Sequence, residues 1–295
     1  MKRIMRKFGV INIIGIGIII ALWSTVYLIN GLVGAYAWTL IKLVFPIIGG
    51  VGIVIDLVLL VIYLVRMRNT QKLVLNLFVN IFFVVPILMT MNIIQLPYPN
   101  DIDRVDPAVT VYWPLAEETV VGFGGDKLEH NQKHVTWASE RWAYDLVMEP
   151  YDIGSMRNED YGIWNKEVFS PVRGKVIGAY DGEADVEPNS EEFTSMAGNY
   201  VYIRIEETGT YLLLVHLKKD SVMVEAGDYV QPGDVIGRVG NSGSTSEPHL
   251  HIHHQRQDPT KMLYPTLAEG LPLFFEEING EAMPNGGDVV KRVEE

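Results

Sequence analysis

The sequence of 295 residues contains no cysteine. This excludes disulfide bonds, zinc sites built on thiolates and cysteine nucleophiles, so the ligands of any zinc ion must be histidine, aspartate or glutamate. The HExxH pattern, which supplies a glutamate base next to two zinc ligands, is also missing. All seven histidines lie between His130 and His254. Any metal chemistry is therefore expected in the second half of the chain.

Acidic residues are nearly absent from the first hundred positions. Residues 1–100 carry eight lysines and arginines but one aspartate, a net charge of +7, and the whole chain carries −12, which leaves −19 for residues 101–295. Phosphate binding requires clustered basic side chains, and the second half has no such stripe. The composition therefore excludes nucleic acid as a partner.

Three long apolar runs occupy this first part of the chain, at Gly9–Ile29, Phe45–Val65 and Leu73–Leu96. About 20 apolar residues in a helix cross a bilayer, so we predict three transmembrane helices. The first run also resembles a signal peptide, since a basic N-terminus precedes it and Ala35-Tyr36-Ala37 follows it. Its apolar core is longer than the 7 to 15 residues usual for a signal peptide, which favours a membrane span.

The basic residues indicate how the spans are oriented. Four lie at the N-terminus and three more lie between the second and third runs, at Arg66, Arg68 and Lys72. The positive-inside rule places both clusters in the cytoplasm, so the acidic half is expected outside the membrane. Asp56 falls inside the second span, where we expect a polar contact between helices, with Asn12, Asn76 or Asn80, rather than a proton path.

The second half has the alternating pattern of β-structure. Three segments are predicted strands, at Val176–Tyr180, Tyr200–Ile205 and Tyr211–His216, and glycine-rich turns between Val224 and Gly243 join further short strands. We predict a membrane domain at 1–97, a linker and domain entry at 98–118, a β domain at 119–275 and an exposed tail at 276–295. A long loop is expected between Gly182 and Gly198, and its acidic residues are interpreted as solvated rather than as a groove lining: Glu183, Asp185, Glu187, Glu191 and Glu192.

The densest chemical signal is the run from Glu247 to His254, which contains four histidines. Because strand side chains alternate, His249, His251 and His253 are expected on one face, with the intervening apolar residues in the core. A single histidine is more often a satisfied polar residue than a ligand. Several imidazoles on one face, after a glycine-rich hairpin, instead favour a metal site.

An ordered series of short motifs resembles the lysostaphin and LytM type of zinc metallopeptidase. The motifs are specific in combination and cover about residues 120–255: Phe169-Ser170-Pro171-Val172, Asn199-Tyr200-Val201, Leu214-Val215-His216-Leu217, Gly227-Asp228-Tyr229-Val230, Gly233-Asp234-Val235-Ile236-Gly237, Gly240-Asn241-Ser242-Gly243 and Pro248-His249-Leu250-His251. This resemblance implies a mostly antiparallel all-β metallopeptidase domain, sandwich-like or barrel-like, with a duplicated hybrid motif.

The resemblance also implies roles for individual residues. Asp145 and His251 match two ligands of Zn²⁺, and His216 and His249 match the catalytic pair. The family usually has a histidine four residues before the aspartate, where this chain has Arg141, which cannot bind a metal ion. His134 is the predicted replacement, followed by two alternatives, His130 and then His253.

The function that the resemblance implies is zinc-dependent hydrolysis of peptidoglycan peptide, by an enzyme embedded in the cytoplasmic membrane of a bacterium with its catalytic domain outside. The sequence leaves open whether membrane or cell-wall proteins are partners. A degenerate relative that binds wall peptide or regulates another hydrolase is the first alternative, based on Arg141. A lipoyl-like carrier module is the second, but the attachment lysine is missing from the expected turn.

Overall fold

A computed structural model describes residues 2–190 and 192–293, and within the first helix it describes the side chains of residue 10 and residues 12–28. The chain divides into two compact units, residues 1–100 and residues 101–295. The first unit is helical. Its elements are α1 (Lys2–Leu28), α2 (Leu32–Thr39), a π-helical turn (Leu40–Val44), α3 (Phe45–Val65), α4 (Gln71–Val84) and α5 (Ile87–Thr90).

Among the described residues, two helical segments of this unit are long and apolar enough to cross a membrane, by length and composition. They are Leu32–Val65 and Gln71–Thr90, whereas the apolar stretch Asn12–Leu28 in the described part of α1 is shorter than a span. The sequence predicted three transmembrane helices, and this test supports two of them. The second span is also longer than predicted, because α2 and the π-helical turn lead into α3 without a break.

A buried polar contact joins α3 and α4. The amide nitrogen Nδ2 of Asn80 donates a hydrogen bond of 2.8 Å to Oδ2 of Asp56. Asn80 has room for this contact because Gly52 faces it, and a Cβ atom at Gly52 would lie only 2.4 Å from Cγ of Asn80. The contact agrees with the predicted interhelical role of Asp56, since small residues let helix backbones approach closely.

The second unit is built on one large antiparallel sheet. The strands are β1 (Val109–Tyr112), β2 (Thr119–Phe123), β3 (Tyr144–Val147), β4 (Glu167–Phe169), β5 (Gly174–Tyr180), β6 (Asn199–Ile205), β7 (Tyr211–Leu217), β8 (Tyr229–Val230), β9 (Val235–Arg238), β10 (Leu250–Gln255), β11 (Gly270–Leu271), β12 (Leu273–Glu276) and β13 (Val289–Val290). The strand order of the large sheet is β13-β2-β3-β10-β7-β6-β5-β8, with β11 added beside β10. Two smaller sheets accompany it, the parallel pair β1-β12 and the antiparallel pair β4-β9. Short 3-10 turns lie at Ile102–Arg104, Asn158–Asp160, Pro259–Lys261 and Pro265–Leu267.

One apolar core joins the large sheet to the two small sheets. Leu146, Leu214 and Ile252 contribute to it from β3, β7 and β10, and Ile236 and Phe275 contribute from β9 and β12. The strands predicted from alternation coincide with β5, β6 and β7. On the opposite face of the sheet, β3 carries Asp145 and β10 carries His251 and His253.

The predicted linker and tail differ from the structure. Within the linker, Val109–Tyr112 forms β1, which pairs with β12. In the tail, Val289 and Val290 form β13, which pairs with Val120 and Thr119 of β2. These segments are ordered by hydrogen bonds to distant strands, which local composition does not reveal. Residues 294–295 of the predicted tail lie outside the described residues.

Candidate metal centre and catalytic histidines

Strand β10 presents its histidines as alternation predicts. Leu250 and Ile252 are fully buried in the apolar core. His249, His251 and His253 line a cavity of about 270 Å³ on the other face of the sheet. The fourth histidine of the run, His254, is hydrogen-bonded elsewhere, to Thr210 and to the backbone of Pro272.

Asp145 reaches the same cavity from the neighbouring strand β3. The antiparallel register pairs Asp145 directly with His251. Oδ1 of Asp145 lies 2.8 Å from Nδ1 of His251 and 3.6 Å from Nε2 of His249. The carboxylate is nearly buried, with a side-chain exposure of 9%. Strand pairing alone therefore brings together two of the three predicted ligands.

His134 comes from a series of turns, not from a strand. Asn131 holds these turns against β3, because its side-chain amide donates to the backbone oxygens of Gly125 and Ala143 at 2.9 and 3.0 Å. Nε2 of His134 then lies 3.1 Å from Oδ2 of Asp145. The structure thus brings His134 next to Asp145.

Arg141 forms an ion pair with a nearby aspartate, Asp126. Its guanidinium lies 2.9 Å from the carboxylate of Asp126 and donates to the backbone oxygen of the same residue. Asp126 also accepts a hydrogen bond of 2.7 Å from the indole of Trp142. Arg141 therefore binds the segment that precedes His134.

The donor atoms of His134, Asp145 and His251 fit a metal ion. One ligand atom from each lies within 4.8 Å of the others, and all three residues are buried. Nε2 of His134 is buried without a hydrogen-bond partner, although Oδ2 of Asp145 is 3.1 Å away, because the two atoms are not aligned as donor and acceptor. Two atoms that bind one tetrahedral Zn²⁺ at about 2.0–2.1 Å lie about 3.3 Å apart, which matches this spacing.

The charges around this group favour a cation. Burial raises the pKa of Asp145, but the imidazoles of His134 and His249 outweigh burial and hold that pKa well below its usual range. Burial lowers the pKa of His134, but Asp145 and Glu140 raise it to about 9. Asp145 and Glu140 thus stabilise a proton on His134. A divalent ion would replace this proton as the positive charge beside the two carboxylates, since metal binding displaces ligand protons.

His216 enters the cavity through a β-bulge in β7. Asn199 pairs with Leu217 and Tyr200 pairs with Val215, so His216 is the extra residue between them. Its φ angle is +62°, in the left-handed region that few non-glycine residues adopt. The ring of His216 lies 4.8 Å from the ring of His249, measured between centroids. Strain of this kind clusters at functional sites.

His216 and His249 share one hydrogen-bonding arrangement. Nδ1 of His216 lies 2.8 Å from the backbone oxygen of Ser242, and Nδ1 of His249 lies 2.8 Å from that of Glu247. Because a carbonyl oxygen only accepts, Nδ1 donates in both rings, and a neutral ring then has an unprotonated Nε2. Burial, together with His249 and His251, lowers the pKa of His216 to about 3, and burial also lowers the pKa of His249. In both rings Nε2 is therefore the atom that can accept a proton.

The remaining candidates lie outside the group formed by His134, Asp145 and His251. His130 contacts Glu129 and the backbone of Gly286, and His253 contacts His251. Glu183 is buried and accepts hydrogen bonds from Thr194 and Ser195, so the interpretation of a fully solvated acidic loop is wrong for this residue. Glu191 lies outside the described residues.

Three residues near the site were missed by the sequence analysis. Glu140 lies 3.6 Å from Nδ1 of His134, Thr245 lies 3.0 Å from Nδ1 of His249, and Gln255 lies 3.2 Å from Nε2 of His253. Only Gln255 has a signal in the sequence, since it continues the alternation of His249, His251 and His253. The other two come from turns whose course depends on tertiary contacts.

Residues 161–262 match peptidase family M23. This segment contains His216, His249 and His251, whereas His134 and Asp145 precede it. The chain is 37% identical over 86 residues to the peptidoglycan DD-endopeptidase ShyC of Vibrio cholerae, and the aligned segment covers 29% of this chain and 18% of that protein. The chain is 43% identical over 61 residues to an uncharacterized metalloprotease of Buchnera aphidicola, and this second aligned segment covers 20% of this chain and 15% of that protein. The matched segment thus spans less than a fifth of either relative.

Among solved structures, the chain resembles the catalytic domain of lysostaphin from Staphylococcus simulans. The identity is 19%, the match covers 52% of this chain and 86% of that chain, and the TM-score is 0.31.

Proposed function

We propose that this chain, whose soluble unit carries a peptidase family M23 domain of the lysostaphin and LytM type, is a membrane-anchored zinc metallopeptidase that hydrolyses peptide bonds of peptidoglycan. The observation that carries the proposal is the convergence of His134, Asp145 and His251 on one point of the cavity, beside His216 and His249. Two imidazoles and a carboxylate leave one tetrahedral position open, as a catalytic zinc site requires.

The three buried ligands are the proposed zinc site. A bound Zn²⁺ would act as a Lewis acid toward the scissile carbonyl and would lower the pKa of water. His134 and His251 provide neutral nitrogen donors, and Asp145 provides the negative charge that partly neutralises the ion. The surrounding burial excludes bulk water, which strengthens the binding of charge within the cavity.

His216 and His249 are the proposed proton-transfer groups. Each ring donates its Nδ1 proton to a backbone carbonyl, and both residues line the cavity. One ring accepts the proton of the attacking water, and the protonated ring then donates it to the leaving amine. A protonated ring also stabilises the oxyanion of the tetrahedral intermediate. The two rings are equivalent candidates for either role.

The substrate and location rest on separate support. The relative from Vibrio cholerae is named a peptidoglycan DD-endopeptidase, and the apolar helices together with the basic clusters favour a membrane anchor with the N-terminus inside. We propose three spans in the cytoplasmic membrane of a bacterium, with α1 as the first. The soluble unit then faces the cell wall.

The test uses the full chain, purified in detergent. We expect about one zinc ion per chain and release of fragments from cross-linked muropeptides. Asp145→Asn should lose both properties, whereas Asp220→Asn, a matched change at an exposed aspartate, should keep them. Absence of zinc binding by the wild-type chain would overturn the proposal.

The degenerate relative remains the competing interpretation, and it predicts a different result. Its evidence was Arg141, which here pairs with Asp126 while His134 supplies the nitrogen donor. A chain that binds zinc but releases no fragment from any muropeptide would favour a binding or regulatory role.

A further inference from the structure

Hydrogen bonds continue from His251 along the same face of β10. Nε2 of His251 lies 2.9 Å from Nδ1 of His253, and Nε2 of His253 lies 3.2 Å from Oε1 of Gln255. The side-chain amide of Gln255 donates a bond of 2.6 Å to the backbone oxygen of Gln257. These four residues form what we call the β10 relay: His251, His253, Gln255 and Gln257.

The direction of the β10 relay is set at its far end. The backbone oxygen of Gln257 can only accept, so the amide nitrogen of Gln255 must face it and the amide oxygen of Gln255 must face His253. An amide oxygen also only accepts, so Nε2 of His253 must carry a proton. In a neutral His253 ring, Nδ1 is then the acceptor for a proton on Nε2 of His251.

This order has a consequence for the metal site. Nδ1 of His251 lies 2.8 Å from Oδ1 of Asp145, and because a carboxylate oxygen only accepts, Nδ1 donates to Asp145 while no metal ion is bound. A metal ion that replaces this proton needs the lone pair on Nδ1, and a neutral ring offers that lone pair only when its proton is on Nε2. The opposite tautomer would place a proton on Nδ1 and leave that atom unable to bind a metal ion. It would also reverse every bond in the relay and bring two acceptors together at Gln257.

We propose that His253 and Gln255 are positioning residues that hold His251 in the tautomer whose Nδ1 can bind the metal ion, an inference that rests on the proposed function. Neither residue is a ligand. They act through the hydrogen bond to Nε2 of His251, as groups behind a metal-bound histidine commonly do, by fixing its tautomer and ring orientation.

The surroundings give the β10 relay a rigid frame. His251, His253 and Gln255 are each less than 8% exposed, so water does not compete for their hydrogen bonds. The side-chain oxygen of Gln257 accepts a bond of 2.7 Å from the backbone nitrogen of Glu269, which ties the far end to the segment before β11. The relay therefore ends on backbone held by the fold.

The experiment compares zinc affinities of the full chain and its variants by competition with a chromophoric chelator. His253→Leu removes the acceptor for His251, and we expect it to weaken zinc binding about tenfold to a hundredfold. His254→Leu is the matched control, since the adjacent residue is equally buried but bonds to Thr210 and Pro272. It should change the affinity by less than about twofold.

Two further variants separate positioning from packing. His253→Gln keeps an acceptor and a donor and should recover most of the zinc affinity. Gln255→Met has a similar shape but orients nothing, and it should weaken binding less than His253→Leu. This variant also keeps the test valid where His253→Leu fails to fold. Zinc affinities equal to wild type in both His253→Leu and Gln255→Met would overturn the inference, as would loss in His254→Leu equal to that in His253→Leu.

A second readout needs no variant. In the zinc-loaded wild-type chain, with ¹⁵N-labelled histidine, the ring of His251 should carry its proton on Nε2, with Nδ1 bound to the metal ion. The opposite tautomer would overturn the inference. Failure of the wild-type chain to bind zinc would instead count against the proposed function, so the two failures are distinguishable.

Discussion

Single residues determine which nitrogen atoms of the site can act. Backbone carbonyls fix Nδ1 of His216 and of His249 as donors, while the β10 relay fixes Nε2 of His251 as a donor. The two proposed proton carriers therefore offer Nε2 and the proposed ligand offers Nδ1. The difference comes from the hydrogen-bond partner of each ring, since all three are buried imidazoles.

Replacing His216 should separate zinc binding from turnover. His216→Gln keeps a polar side chain but loses the basic nitrogen, so we expect kcat to fall by about 10² to 10⁴ while zinc content stays unchanged. His130→Gln, a control at the alternative ligand candidate, should change neither quantity. Zinc analysis and muropeptide turnover on the same samples measure both. Loss of zinc in His216→Gln would contradict the assignment of His216 to catalysis.

His254 should make the soluble unit sensitive to acid. Burial lowers the pKa of His254 to about 4, whereas an unfolded histidine has a pKa of about 6.5. Between these values the unfolded state binds a proton that the folded state does not, so acidification favours unfolding. The free energy of unfolding should fall by about 3 kcal/mol from this residue as the pH drops from about 7 to about 4.

Unfolding of the metal-free chain, followed by near-ultraviolet circular dichroism at several pH values, measures this effect. His254→Gln should give a shallower decline in stability below pH 6.5 than the wild type. Parallel curves for the two proteins would contradict the prediction.

Strand pairing and a bulge in the backbone position the side chains of the site. Strand pairing of β3 with β10 aligns Asp145 with His251, and the bulge in β7 adds His216. Beside them, β13 pairs with β2 and the backbone nitrogen of Gly286 donates to the oxygen of Gly124, in the segment before His134. The C-terminal residues therefore support the turns that position one proposed ligand.

In the helical unit, the packing of α3 against α4 should depend on one glycine. Gly52→Val places a side chain where Asn80 now lies, which should displace the hydrogen bond to Asp56 and destabilise the unit by about 1–3 kcal/mol. Gly50→Val is the matched control, because a Cβ atom there meets nothing within 4 Å. Thermal unfolding in detergent compares the two variants. Equal melting temperatures would show that the contact does not stabilise the helix pair.

The whole molecule combines two units of opposite charge. Residues 1–100 carry +7 and residues 101–295 carry −19. Charge of this sign on the proposed outer unit reduces attraction to anionic lipid headgroups. In the proposed topology, the apolar helices and the basic residues at their ends form the membrane anchor.

The absence of cysteine allows a direct test of orientation. Lys219→Cys lies on the exposed surface of the soluble unit, and Asn69→Cys lies in the exposed turn between α3 and α4. With the proposed topology, a membrane-impermeant maleimide added to intact cells should label the first variant only, and cell lysis should expose the second. Labelling of Asn69→Cys alone would place the soluble unit in the cytoplasm.

Local pattern was sufficient for those features that depend on neighbours along the chain. Alternation on β10 predicted which histidines face the cavity and which residues enter the core, because a strand turns successive side chains to opposite faces. Composition predicted the apolar helices of the first unit and the strands β5, β6 and β7. The order of short motifs indicated the peptidase family before any strand pairing was known.

The sequence by itself determined the apolar helices, the strands β5, β6, β7 and β10, and the residues with the chemistry of a metal site. Only the tertiary structure decided which of these residues lie next to each other. Alternation would turn His216 toward the core with Leu212 and Leu214, but the bulge opposite Asn199 and Tyr200 turns it into the cavity. His134 reaches Asp145 because Asn131 fixes a turn against β3. Both outcomes depend on hydrogen bonds between residues distant in sequence, which no local pattern records.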